Sequence, residues 1–188
     1  MADSRISVRR RLALALLLLI PAGLSAQEHI VIGFGGGVTF PAATTADNFA
    51  TGWNAGMMAQ YTRARTPFGG ELGIAYHEMD LKGGAFGKTK VLALTSALLV
   101  SFPTDPRSKS RLRFNLAAGI GGYFHEVELN GNSDTSYPFG VNGGAGIDLY
   151  MNQRRTAAIF LDARYHHIFA SKDVDMVPIT FGLKLRAK

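Results

Sequence analysis

From residue 30 to the C-terminal end, large apolar side chains recur at every second position, in eight runs separated by turn-forming residues. Successive side chains of an extended chain leave opposite faces of a sheet, so this alternation predicts strands. The first run, 30–40, sets Ile30, Ile32, Phe34, Val38 and Phe40 on one face and Val31, Gly33, Gly35, Gly37 and Thr39 on the other. Comparable runs cover about 51–63, 68–80, 91–102, 111–129, 137–151, 157–169 and 177–186. The connections differ in character. Ala64 to Pro67, Pro103 to Ser110 and Asn152 to Arg155 join some strands; the others are Gly-, Asn-, Asp- or Ser-rich, near 42–48, 82–88, 130–136 and 171–175. An up-and-down meander of hairpins follows, short at one set of ends and longer at the other. The expected fold class is all-β, an eight-stranded antiparallel up-and-down barrel.

Two barrels share this pattern. A soluble, lipocalin-like barrel points its large apolar residues inward and covers its outside with charge. A membrane barrel turns the apolar face to lipid and fills its interior with small and polar groups. Here the second face is Gly, Ala, Thr, Ser and Asn with isolated charges, and glycine on a solvated strand face weakens the strand. Aromatic residues also gather at both ends of the apolar face. Phe40, Trp53, Tyr76, Phe124, Tyr137 and Phe169 fall toward one rim, and Tyr61, Phe68, Phe102 and Phe114 toward the other. Such paired girdles belong to bilayer-spanning barrels. The transmembrane reading is therefore preferred, with a secreted lipocalin-like binder as the alternative.

The N-terminal segment supports export. Arg5, Arg9, Arg10 and Arg11 precede the apolar run from Leu12 to Ile20, and small residues follow to Ala26. That is the layout of a secretory signal peptide, predicted over residues 1–26, with the barrel domain over 27–188. The chain carries 20 Lys and Arg against 14 Asp and Glu; the segment 1–26 holds four Arg and one Asp, so the exported part keeps 16 and 13, a net charge of +3. No basic run of nucleic-acid type remains, and nucleic acid is excluded as a partner. The absence of Cys removes disulfide frameworks, thiolate metal sites and Cys nucleophiles.

With these features the chain resembles the eight-stranded outer-membrane β-barrels of Gram-negative bacteria, the OmpA/OmpX-type barrels. The resemblance runs from about Ile30 to Arg186 and includes the closing stretch Ile179-Thr180-Phe181-Gly182-Leu183-Lys184-Leu185. It implies an outer-membrane location with periplasmic termini, and a monomer in contact with outer-membrane lipid and lipopolysaccharide. It also implies insertion by the barrel-assembly machinery. That machinery reads a terminal aromatic in many members. This chain ends Leu185-Arg186-Ala187-Lys188, so the signal is absent or displaced to Phe181.

Candidate chemistry lies on the inward face. Glu71, Asp148 and Asp162 share it with Arg113, Arg164, Lys184 and Arg186. An unpaired ion in a narrow lumen is costly, so a salt-bridge network is expected, with Arg113 near Asp148 and the Asp162/Arg164 strand beside that of Lys184/Arg186. The functional version of the same network is a gate for small ions. His77, His125 and His166 also face inward and have zinc-ligand chemistry, but they sit on alternate strands and read as polar lining, so no metal and no cofactor are expected. The glycine clusters at Gly33 to Gly37 and Gly119 to Gly122 lack the spacing and following helix of a nucleotide loop. A lipid-modifying enzyme would need a Ser/His/acid arrangement on the outer surface. His167 and Ser96 face outward on different strands, and no nucleophile elbow is present. The expected function is non-enzymatic, in envelope integrity or surface interaction, with a narrow pore for small ions or solutes, or a lipid-modifying barrel enzyme, as alternatives.

Overall fold

The structure, a computed structural model, describes residues 28–63, 66–82, 87–103, 110–129 and 132–187. The expected signal peptide lies outside the described residues. The strands are β1 (Glu28–Ala42), β2 (Gly52–Arg63), β3 (Phe68–Asp80), β4 (Gly87–Phe102), β5 (Leu112–Leu129), β6 (Asn132–Ser136), β7 (Phe139–Tyr150), β8 (Ala157–Phe169) and β9 (Val174–Arg186). One helical turn, α1 (Thr45–Asn48), follows β1.

Consecutive strands pair antiparallel except β6 and β7, which both pair with β5. β1 and β9 close the ring, with Phe34 opposite Leu183 and Val38 opposite Ile179. The ring has eight staves, because β6 and β7 lie end to end along β5 and count as one. The break between them falls at Tyr137-Pro138. Proline has no N–H to give the ladder, and its carbonyl accepts from Tyr123 instead (2.9 Å). No helix among the described residues is long and apolar enough to cross a membrane; the strands are the spanning elements.

The alternation fixes the outward face. Leu72, Ile74, Leu94, Leu98, Leu116, Ile147 and Leu161 are all exposed, Leu98 to 76%. Soluble monomers rarely expose a contiguous apolar surface of this kind to water, whereas lipid requires it. The aromatic side chains flank this belt. Trp53 packs on Tyr76 and Phe124 on Tyr137 at the long-loop end, while Phe102 lies opposite Phe114 at the short-turn end.

Three local expectations change. Residues 132–136 are strand, so the β5–β6 hairpin extends where a loop is expected. β9 starts at Val174, ahead of the visible alternation, because Val174 and Met176 are apolar and yet point into the barrel. Residues 45–48 form a helical turn, which a four-residue segment cannot announce through its periodicity.

Candidate functional site: the filled lumen

The lumen is packed in layers. At the long-loop end lies an apolar layer of Met79, Val91, Ala93, Tyr123, Ile168, Val174 and Met176, with Phe49 from the loop after α1 packed against it. Ile168, Val91 and Met176 have no exposed surface at all. This corrects the expectation of a uniformly small and polar interior. Phe160 and Leu99 are also inside and buried. Room for the Phe160 ring comes from Gly35 and Gly182, which face each other across the β1–β9 seam; a Cβ on Gly182 would meet the ring at 2.8 Å.

Below the apolar layer, Thr39 Oγ1 and His77 Nδ1 are 3.1 Å apart, Asn54 Nδ2 donates to Thr39 Oγ1 (3.2 Å), and Thr180 Oγ1 donates to Asn54 Oδ1 (2.8 Å). His166 Nδ1 meets the Tyr123 hydroxyl at 2.9 Å. His77 and His166 come together, with ring centroids 6.0 Å apart. His125 instead bonds Thr89 (2.8 Å), one layer nearer the long loops. The three imidazoles therefore do not converge, and no metal-binding cluster is found among the described residues.

The central layer is ionic. Arg164 is buried and held by two carboxylates: its guanidinium nitrogens lie 2.5 and 3.0 Å from Glu71 and its Nε 2.7 Å from Asp162. Gln60 Nε2 donates to the same Glu71 (2.7 Å). β3 and β8 are four staves apart in either direction round the ring, so the Arg164–Glu71 pair spans a full diameter. A bidentate, buried pair of this kind leaves few lone pairs unsatisfied, which is the condition under which ions survive in low dielectric. Between this layer and the histidines lies a cavity of about 70 Å³, lined by Asn54, Glu71, His77, Asp162, Arg164 and His166 among others. It has room for a few waters and no more.

Nearest the short turns, Lys184 Nζ pairs with Asp148 (2.7 Å) and lies 5.0 Å from the centre of the Phe160 ring. Asn115 completes Asp148 (2.9 Å) and accepts from Ser101 (2.7 Å). Arg113 stands directly opposite Asp148 in the β5–β7 register, near it as expected, but no ion pair joins them: Arg113 Nη1 donates to the Tyr150 hydroxyl (3.3 Å), and Asp148 takes Lys184 from two staves away. Arg186 lines a cavity of about 10 Å³ at this mouth with Arg113, Lys184 and Arg155.

On the outside, Asp175 accepts from His167 Nδ1 (2.7 Å) and from the Tyr165 hydroxyl, while its backbone N–H donates to Thr45 Oγ1 of α1 (2.9 Å). The alternation places His167 on the outer face but does not reveal the trio, because Asp175 falls in an expected loop. The position two residues after His167 is Phe169, whose ring meets the imidazole edge-on at 4.6 Å. Ser96 sits on β4, between Leu72 and Ile120, three staves from His167. The imidazole and carboxylate are thus assembled without a serine. At the long-loop rim, Glu78 accepts a hydrogen bond from the Tyr76 hydroxyl (2.7 Å) and pairs with Lys88 (3.3 Å), and Lys90 pairs with Glu128 (3.3 Å).

An eight-stave barrel with a lipid-facing belt, aromatic rims and a filled polar lumen is an outer-membrane barrel. Residues 12–186 match the outer membrane protein beta-barrel domain family, and the chain belongs to that family. Among solved structures it is similar to OprG of Pseudomonas aeruginosa, at TM-score 0.63 and 18% identity over 88% of this chain and 98% of that one. Neisserial surface protein A gives TM-score 0.61 and 12% identity, over 85% of this chain and 97% of that one. The N-terminal β-barrel domain of Pseudomonas aeruginosa OprF gives 0.51 and 17%, over 86% and 98%. At these identities the likeness is one of fold. No curated protein sequence matches the chain. The family locates the protein in the outer membrane.

Proposed function

We propose that this barrel is a non-enzymatic structural component of the outer membrane, closed to solutes, that acts through its surfaces. The observation that carries the reading is the double obstruction of the lumen. The apolar layer around Ile168 and Met176 and the diametric Arg164–Glu71 pair lie one above the other, and the cavity between them is only about 70 Å³. A hydrated ion needs a continuous polar path, and an apolar layer of buried side chains denies one. In this reading, which follows the resemblance to eight-stranded outer-membrane barrels, the termini and the connections on their side face the periplasm, and the connections at the other end face outward. Contact with phospholipid and lipopolysaccharide, insertion by the barrel-assembly machinery and a monomeric state belong to the same proposal.

Planar-bilayer recording tests it. The protein is expected to give no steady conductance, and Arg164→Ala alone to leave it closed because the apolar layer persists. Steady ohmic current from the unaltered protein would refute the closed barrel and favour the narrow pore.

A further inference from the structure

We infer that the short-turn end of the barrel is a docking surface for anionic phospholipid headgroups. The charge of the molecule is segregated along its axis. Arg111, Arg113, Arg154, Arg155, Lys184 and Arg186 lie at the short-turn end. The carboxylates at that end among the described residues include Asp148, which Lys184 already answers, and Glu28 at the start of β1. The long-loop end is acidic: Asp47, Asp80, Asp134 and Asp173 join the rim residues Glu78, Glu126 and Glu128, against Lys82, Lys88, Lys90 and Lys172.

The basic end is also built at the depth of a headgroup layer. Arg111 immediately precedes β5 and is exposed, next to Leu112 and Phe114 of the lipid belt. Arg154 is exposed on the turn between β7 and β8, which lies directly beyond Leu149 and Ile159 of the same belt. Arg155 holds the two turns together. Its guanidinium donates to Ser110 O (3.0 Å) and covers the Tyr150 ring (5.2 Å), so the cationic ends are pre-positioned at little cost in side-chain order. The surface continues an apolar belt that lipid already covers, and the phosphate of the adjoining leaflet supplies the complementary charge. Cations beside an anionic membrane surface attract it within a Debye length. Phospholipid is therefore the occupant, ahead of a soluble anion or polymer. The inference rests on the proposed orientation only for which leaflet is meant, the periplasmic one.

The test is lipid selectivity at the barrel wall. The protein is reconstituted in phosphatidylcholine vesicles, and spin-labelled phosphatidylglycerol and phosphatidylcholine are compared for the fraction immobilised at its surface. Phosphatidylglycerol is expected to be preferred by about two- to fivefold at low salt, within what a few surface cations supply. The preference should shrink toward one at about 1 M salt, where the Debye length is about 3 Å. The double variant Arg111→Gln/Arg154→Gln, two exposed positions away from the lumen network, should lose most of it. Lys88→Gln/Lys90→Gln at the other end should keep it. No preference in the unaltered protein, or a preference that follows the Lys88/Lys90 pair, overturns the inference. Should the Arg variant fail to fold, judged by its heat-dependent migration in SDS, the salt titration of the unaltered protein decides alone. Conductance is a separate readout, so an open lumen would refute the closed barrel and leave lipid docking standing.

Discussion

Arg164 shows how a single residue can organise a lumen. Its charge is affordable in the barrel interior because Glu71 and Asp162 together answer three of its nitrogens. Removing one partner leaves an uncompensated buried ion, which costs about 3–5 kcal/mol. Arg164→Ala, which strands Glu71 beside Asp162, is expected to lower stability by that amount, read as a shift in the urea midpoint of the barrel folded in vesicles. The double change Arg164→Met/Glu71→Met should recover part of the loss, since packed apolar residues replace the Glu71 pair at little or no cost while Asp162 stays without its cation. A double variant no more stable than Arg164→Ala would show that the pair contributes through something other than charge compensation. At the same scale, Gly182→Ala should destabilise the β1–β9 seam, because the new methyl would meet both the Phe160 ring and the Phe34 carbonyl.

Among the elements, α1 is the one whose role is local and testable. Thr45 Oγ1 accepts from the Asp175 N–H, and Phe49 after the helix packs against the apolar layer. Thr45→Val removes the acceptor and keeps the shape, so a loss of about 1 kcal/mol is expected. Hydrogen exchange should locate it, with the Asp175 amide exchanging faster and amides deep in β4 and β5 unchanged.

For the whole molecule, the closed outer-membrane barrel is what the alternation of residues such as Leu92, Leu94, Leu98 and Val100 could already specify. Inward and outward assignments follow from the period of two and need no knowledge of partners. What alternation could not convey is which inward residues meet. Arg164 and Glu71 are far apart in sequence and joined only because an eight-stave ring puts β3 opposite β8. Reasoning from strand neighbours put Arg113 next to Asp148, where it stands, but could not show that Asp148 pairs with Lys184, for a ring offers contacts across itself that a flat sheet does not. Phe160 and Ile168 are at inward positions by parity, and Met176 precedes the last alternating run, yet their apolar character hid a layer that a polar lumen would not contain. α1 and the Asp175 contacts depend on loop geometry and have no periodic signal to read.

The diametric pair has a mechanical meaning as well. A tube of hydrogen-bonded strands is stiff along its ladders, but its cross-section can flatten into an ellipse with little change in any one bond. The Arg164–Glu71 link is a spoke across that cross-section. Under the uneven lateral pressure of a membrane it would resist ovalisation along one axis, while the perpendicular axis, through the staves of β1 and β5, has no ion pair of its own among the described residues. Spin labels placed on opposite staves would reveal a barrel that breathes along one diameter and stays still along the other, with Arg164→Ala making the two alike.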